Sequence, residues 1–258
     1  MRMGLMLALA AGAAAVLGGC FDVEQSVSLR RDLSGRAAFN MTIDFEPMMI
    51  IMASMQHSMS GKPGDPTPAE VDEVRRSFLE KRKSEDPAKK RQEQAEQKAQ
   101  LEKSLPPGVR LLSSSVVDQG TKLIARFEFE YDDVRKLSQL KLPEKSGQGQ
   151  PGQNPFSDPF ASLKVVDEGP TLLVTMGGGD PAARLKRETQ KDPGSNPEMA
   201  KAFEGAFKNA RLAFRLDSPF EVVETNATRR DGRTLYWEIR ASDPNAKMLD
   251  VLTARLKK

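Results

Sequence analysis

Cysteine, histidine and tryptophan each occur once in 258 residues, and tyrosine only twice. One cysteine cannot form an intrachain disulfide, so no disulfide framework holds the fold. One cysteine and one histidine also leave almost nothing for a zinc or haem site, which draws on several such side chains. Net charge is scarce: 39 Lys+Arg against 36 Asp+Glu give +3, whereas a dedicated nucleic-acid binder carries a clear basic excess or a basic face. Beyond the first twenty residues there is no apolar run of the roughly 20 residues that a spanning helix needs. Catalytic motifs are missing too, with no His-Glu-x-x-His, no Gly-x-Ser-x-Gly and no Walker loop. These absences point to a protein that is not an enzyme, with no metal and no nucleic-acid partner.

What the N-terminus does have is a leader. Arg2 supplies a positive start, Leu5 to Leu17 an apolar stretch, and Leu17-Gly18-Gly19 leads into Cys20. That stretch is too short for a spanning helix and reads as a signal peptide over residues 1–19. Leu-Gly-Gly-Cys resembles the lipobox of bacterial lipoproteins. The resemblance implies cleavage between Gly19 and Cys20, then a thioether-linked diacylglycerol and an amide-linked acyl chain such as palmitate on Cys20. No other cofactor is expected. Two such chains suffice for stable membrane attachment. In enterobacterial lipoproteins an aspartate after the cysteine favours inner-membrane retention. With Phe21 there, the resemblance implies the periplasmic face of the outer membrane, with the inner membrane and the cell surface as alternatives.

The rest of the chain reads as antiparallel hairpins separated by helices. Val23, Gln25, Val27 and Leu29 share one face of a first strand, and Ala37, Phe39, Met41 and Ile43 share one face of a second. A methionine-rich segment follows, with Met48, Met52, Met55 and Met59 on one helical face. Thr67-Pro68-Ala69-Glu70 is a capping box with proline at the first helical position. Asp86-Pro87 opens a second, highly charged helix to about Ser104. Val109–Val117 and Lys122–Tyr131 form a central hairpin, and Asp132 starts a short helix. Residues 143–160 are rich in Gly, Gln and Pro and read as a flexible linker. Further on, Val165 to Leu172 reads as strand, turn and strand. Asn196-Pro197 starts a helix with Met199, Phe203 and Phe207. Phe220–Asn226 and Thr234–Arg240 form a last hairpin turning at Asp231-Gly232. Asp243-Pro244 starts a C-terminal helix with Met248, Leu249, Leu252 and Leu256.

The expected fold class is therefore α+β: hairpins in one sheet, helices packed on one side, and a protruding helical insertion over about residues 67–105. Residues 20–142 form a first half and 161–258 a second, sharing one core.

The two ends of the mature chain resemble the LppM-type lipoprotein domain, a bacterial envelope family. The resemblance rests on Val27-Ser28-Leu29, the turn Asp32-Leu33-Ser34-Gly35, and a closing set of Pro219, Asn226, Asp231-Gly232 and Trp237. The family's first turn is of Asp-Gly-Ser-Gly type, so Leu33 is a departure. Residues 67–105 and the stretch from Pro143 look like insertions. The resemblance implies an envelope-exposed α+β domain with no known catalytic centre.

Isolated residues with chemical potential have ordinary explanations. His57 sits beside Met55 and Met59 as a packed or solvent-facing side chain. Gly177-Gly178-Gly179 reads as a turn, because no Lys-Ser/Thr follows to hold a phosphate. The methionine stripe has two readings. It packs on the inner face of the first sheet, or it lines an apolar groove for an acyl chain. The expected role is a lipid-anchored binding or scaffolding module with an envelope protein as partner. The alternative is a lipid or glycolipid carrier.

Overall fold

A computed structural model of the chain describes residues 20–83, 86–142, 158–177, 210–240 and 251–258. The expected signal peptide over residues 1–19, most of the expected 143–160 linker, Gly178-Gly179 and the helix expected from Asn196 lie outside them.

Period-two alternation becomes strand wherever it was expected. β1 (Cys20–Leu29) and β2 (Gly35–Asp44) form the first hairpin in full register, from Cys20 opposite Asp44 to Leu29 opposite Gly35. The turn between them is held by Asp32, whose Oδ1 accepts from the Ser34 amide at 3.0 Å and the Ser34 hydroxyl at 2.6 Å. Leu33 takes a left-handed φ of 66°, a conformation that costs a branched residue roughly 1 kcal/mol. Its side chain packs against the core, which offsets part of that cost.

Three helices come next: α1 (Glu46–Met59), α2 (Pro68–Lys83) and α3 (Pro87–Ser104). β3 (Val109–Asp118) and β4 (Lys122–Tyr131) follow, then a 3-10 turn over Val134–Gln139. Its cap is Asp133, one residue later than expected, accepting from the Arg135 amide at 2.9 Å. β5 (Lys164–Asp167) and β6 (Thr171–Gly177) form a hairpin. The remaining strands are β7 (Arg211–Asp217), β8 (Glu221–Thr225), β9 (Arg229–Asp231), β10 (Thr234–Arg240) and β11 (Val251–Lys257).

The chain is α+β, but the strands divide into two sheets where one was expected. The larger has the order β3-β4-β2-β1-β7-β10-β9, the smaller β5-β6-β11-β8. Not every neighbour is antiparallel: β1 and β7 run parallel, 189 residues apart at Asp22 and Arg211. The buried faces of both sheets contribute to one core, with Val27, Phe39, Phe129 and Leu216 from the larger and Leu172, Val222 and Leu256 from the smaller.

Two further expectations are corrected. Residues 251–257 form a strand, not the end of a helix, because Leu252, Ala254 and Leu256 alternate into the core opposite Met176, Val174 and Leu172. The last hairpin joins β9 to β10, whereas β8 crosses to the smaller sheet and pairs with β11. Asn226 makes that switch. Its Oδ1 accepts from Trp237 Nε1 at 2.9 Å on β10 and from the Thr253 amide at 2.8 Å on β11.

The described helices do not cover a face of the main core. α1 and α2 pack on each other through Met49, Ala53 and Val74, with Phe45, Val71 and Phe78 around them. No residue of either helix belongs to the main core. α3 lies beside edge strand β3, buries Leu101, and bonds through Gln94 to the Val116 carbonyl.

Candidate functional site

Cys20 occupies the first position of β1, at one end of the larger sheet. Across the hairpin it faces Asp44, whose Oδ1 accepts from the Glu46 amide at 3.0 Å and whose Oδ2 pairs with Lys122 at 3.4 Å. Asp44 thus ends β2 and begins α1. On the next turn of chain the Phe45 amide donates to the Thr121 carbonyl at 2.8 Å. The Phe45 and Phe78 rings stand 5.4 Å apart, with the Arg82 guanidinium over both at 5.0 and 5.3 Å. Arg82 also pairs with Asp118 at 2.7 Å, which ties the end of α2 to the β3–β4 turn. The Cys20 end of the sheet is therefore the root of the α1–α2 pair.

The far end of that pair closes on itself. His57 is 7% exposed and places Nδ1 3.0 Å from Glu70 Oε2 and Nε2 3.3 Å from the Pro63 carbonyl. The capping box forms as expected, with the Thr67 amide donating to Glu70 Oε2 at 2.8 Å. Lys62, 2.8 Å from Oε1, together with the Thr67 donors, holds the Glu70 carboxyl down at about 2. His57 is thus a packed residue fastening the tip, one of its two ordinary readings.

The methionine stripe does not pack on the sheet. The buried residues of α1 are Met49, Ile51, Ala53 and His57. Met48 and Met55 are half-buried, and Met52 and Met59 are exposed at 36% and 79%. Ile50, exposed at 48%, lies about 160° round the helix from Met52 and is not part of the stripe. Spacing alone placed the four methionines together; it did not show that another face of the helix would turn inward.

At the opposite end of the sheet an open cleft of about 560 Å³ is lined by Arg30, Ser34, Gly108, Val109, Arg110, Glu130, Tyr131 and Asp132. Its charges are matched internally. Arg110 bonds Glu130 and holds that carboxyl below its usual range, and Lys136 pairs with Asp132 at 2.9 Å. The Tyr131 hydroxyl donates to the Ser28 carbonyl at 2.8 Å, and burial raises its pKa. Tyr131 thus braces the hairpin rather than serving as an acid or base. Among the described residues no group of three His, Cys, Asp or Glu side chains could hold a metal ion. No described helix is long and apolar enough to cross a membrane.

No family model and no curated protein matches the sequence. In structure, the chain is similar to the folded domain of Mycobacterium tuberculosis LppM, solved by NMR. The two share 12% identity over 93% of this chain and 91% of that one, with a TM-score of 0.42. The motif residues behind the sequence resemblance have structural work of their own. Asp32 and Ser34 close the first turn, and Asn226 and Trp237 join the two sheets. That joint is the contribution spacing could not reveal, because Asn226, just past the end of β8, meets Trp237 on β10 and Thr253 on β11 from the two different sheets.

Proposed function

We propose that the chain is a lipid-anchored protein of the bacterial envelope, held through Cys20 on the periplasmic face of the outer membrane. There it acts as a non-catalytic binding or scaffolding module. One observation carries this reading: the cysteine that the lipobox marks is also the first residue of β1. Acyl chains on Cys20 and the sheet would share a residue, with no linker between them. The domain then sits on the bilayer in a fixed relation instead of swinging on a leash. The internally paired charges of the open cleft support a non-catalytic role, since no unpaired acid, base or nucleophile gathers there. The carrier alternative draws less support, because the methionine stripe lies on a different face of α1 from its packed side.

The test is the mass of the N-terminal peptide from protein extracted out of its own membrane. It should begin at Cys20 and carry a diacylglyceryl group and one amide-linked acyl chain. Cys20→Ser should move the protein into the soluble fraction. An N-terminal peptide with no acyl group on Cys20 would sink the reading. Co-purified protein under native mass spectrometry supports the scaffold, and co-purified lipid beyond the anchor supports the carrier.

A further inference from the structure

We propose that α1 is a second membrane contact, lying in the bilayer interface with its methionine stripe among the lipids. The proposal rests on the Cys20 anchor and deepens it.

The geometry starts from register. Cys20 and Asp44 are cross-strand neighbours, which places their Cα atoms about 5 Å apart. α1 begins two residues after Asp44. The helix pair is rooted at this end through Phe45, Phe78 and Arg82 and closed on itself at its other end through His57 and Glu70. Between root and tip it shares no residue with the main core. At 14 residues α1 spans about 21 Å. An anchor without a linker therefore holds a helix pair of this length beside the membrane surface.

The chemistry of the two helices differs in the way this placement requires. Nine of the sixteen residues of α2 are charged. From Pro47 to Met59, α1 has no Lys, Arg, Asp or Glu at all, and its one titratable side chain, His57, is buried. Its single acid, Glu46, is clamped by Arg75 at 2.9 to 3.1 Å. Met52 and Met59 stand exposed on one face of it, with half-buried Met48 and Met55 beside them. An interfacial helix needs such an uncharged, apolar outer surface, because charged groups resist transfer from water. Unbranched, polarisable methionine also adapts to disordered acyl chains better than a branched side chain does. A lipid surface is the one partner whose position the anchor already fixes.

The test reads one fluorophore at a time. Met52→Cys, Met59→Cys and Val223→Cys each place a thiol in the full lipid-bearing chain, where the lipid occupies the Cys20 sulfur. Val223 is the control, 58% exposed on the smaller sheet. Far-UV circular dichroism checks that each variant keeps its fold. The labelled proteins are reconstituted into phosphatidylethanolamine–phosphatidylglycerol vesicles with brominated acyl chains. Dyes at 52 and 59 should be quenched about 3-fold more than the dye at 223, as for an apolar face sunk about 5–10 Å into the interface. Equal quenching at all three positions, with the lipid on Cys20 verified by mass, overturns the proposal. A free thiol at Cys20 would instead defeat the anchor alone. The labelled chains in a Cys20→Ser background are then added to the same vesicles. Quenching at 52 and 59 upholds the α1 contact, and its absence overturns that too.

Discussion

Gly35 offers the sharpest test of the sheet geometry. Its φ is not left-handed, so backbone strain is not the reason for glycine here. The reason is space. A Cβ at this position would overlap the Ser28 carbonyl oxygen and stand 2.6 Å from the Tyr131 hydroxyl. Those two groups are hydrogen-bonded to each other at 2.8 Å. Gly35→Ala must therefore separate β1 from β2 or expel the Tyr131 hydroxyl. Overpacking of this kind costs about 1–3 kcal/mol, and breaking the buried bond adds about 1 kcal/mol. The sum, about 2–4 kcal/mol, should lower Tm by about 5–15 °C for a domain of this size. Differential scanning calorimetry of the Cys20→Ser chain measures it without detergent. Tyr131→Phe separates the two parts, since it loses the bond but keeps the ring, and should cost about 1 kcal/mol. In the double variant the overlap with the Ser28 carbonyl remains, so Gly35→Ala should stay destabilising by at least about 1 kcal/mol. A Gly35→Ala protein within about 0.5 kcal/mol of the parent would refute the reasoning.

Three other outcomes follow from the same contacts. Asn226→Ala should destabilise by about 2–4 kcal/mol, because the buried Trp237 N–H loses its acceptor and β11 loses two bonds; urea titration followed by Trp237 fluorescence reads this, and an unchanged midpoint counts against the inter-sheet joint. Met49→Ala should cost about 2–4 kcal/mol locally, seen as faster amide exchange in α1 and α2 with unchanged protection in β1 and β2, since the two cores are separate. The Glu70 carboxyl is lowered to about 2 by Lys62 and Thr67, so its contribution to the tip is full above the ordinary carboxylate range near 4.5 and is lost as pH falls toward 2. Amide exchange around Thr67 should accelerate over that window in the parent and be independent of pH there, after correction for intrinsic rates, in Glu70→Gln.

How much of this was legible in the sequence depended on the distance between partners. The β1–β2 and β3–β4 hairpins were readable because alternation and turn residues lie within one short window. The parallel partnership of β1 with β7 was not, since nothing local to Asp22 or Arg211 encodes it. The C-terminal segment was ambiguous in a specific way. Met248, Leu249, Leu252 and Leu256 fit a helical stripe, while Leu252, Ala254 and Leu256 fit alternation equally well, and short apolar runs do not separate the two periods. Only pairing with β6 and β8 decides it. The methionine stripe failed differently. Periodicity groups residues by face but does not say which face turns inward, and Met49, Ala53 and His57 share a spacing just as regular. At the candidate anchor, by contrast, the signal on Cys20 is a contiguous four-residue string, and what the structure adds is its place at the head of β1.

The strand order has a consequence for how the chain can fold as it emerges N-terminus first. β11 sits between β6 and β8 in the smaller sheet, and β7 lies against β1 in the larger one. A chain emerging from its N-terminus therefore shows β1 an open edge until residues 211–217 appear, and leaves the smaller sheet with a gap until residues 251–257 appear. Early hairpins can form but cannot settle, and high contact order makes the final assembly slow. Unpaired strand edges waiting that long invite association with other chains. A protein built on this plan depends on being kept apart from its neighbours until its closing strand arrives.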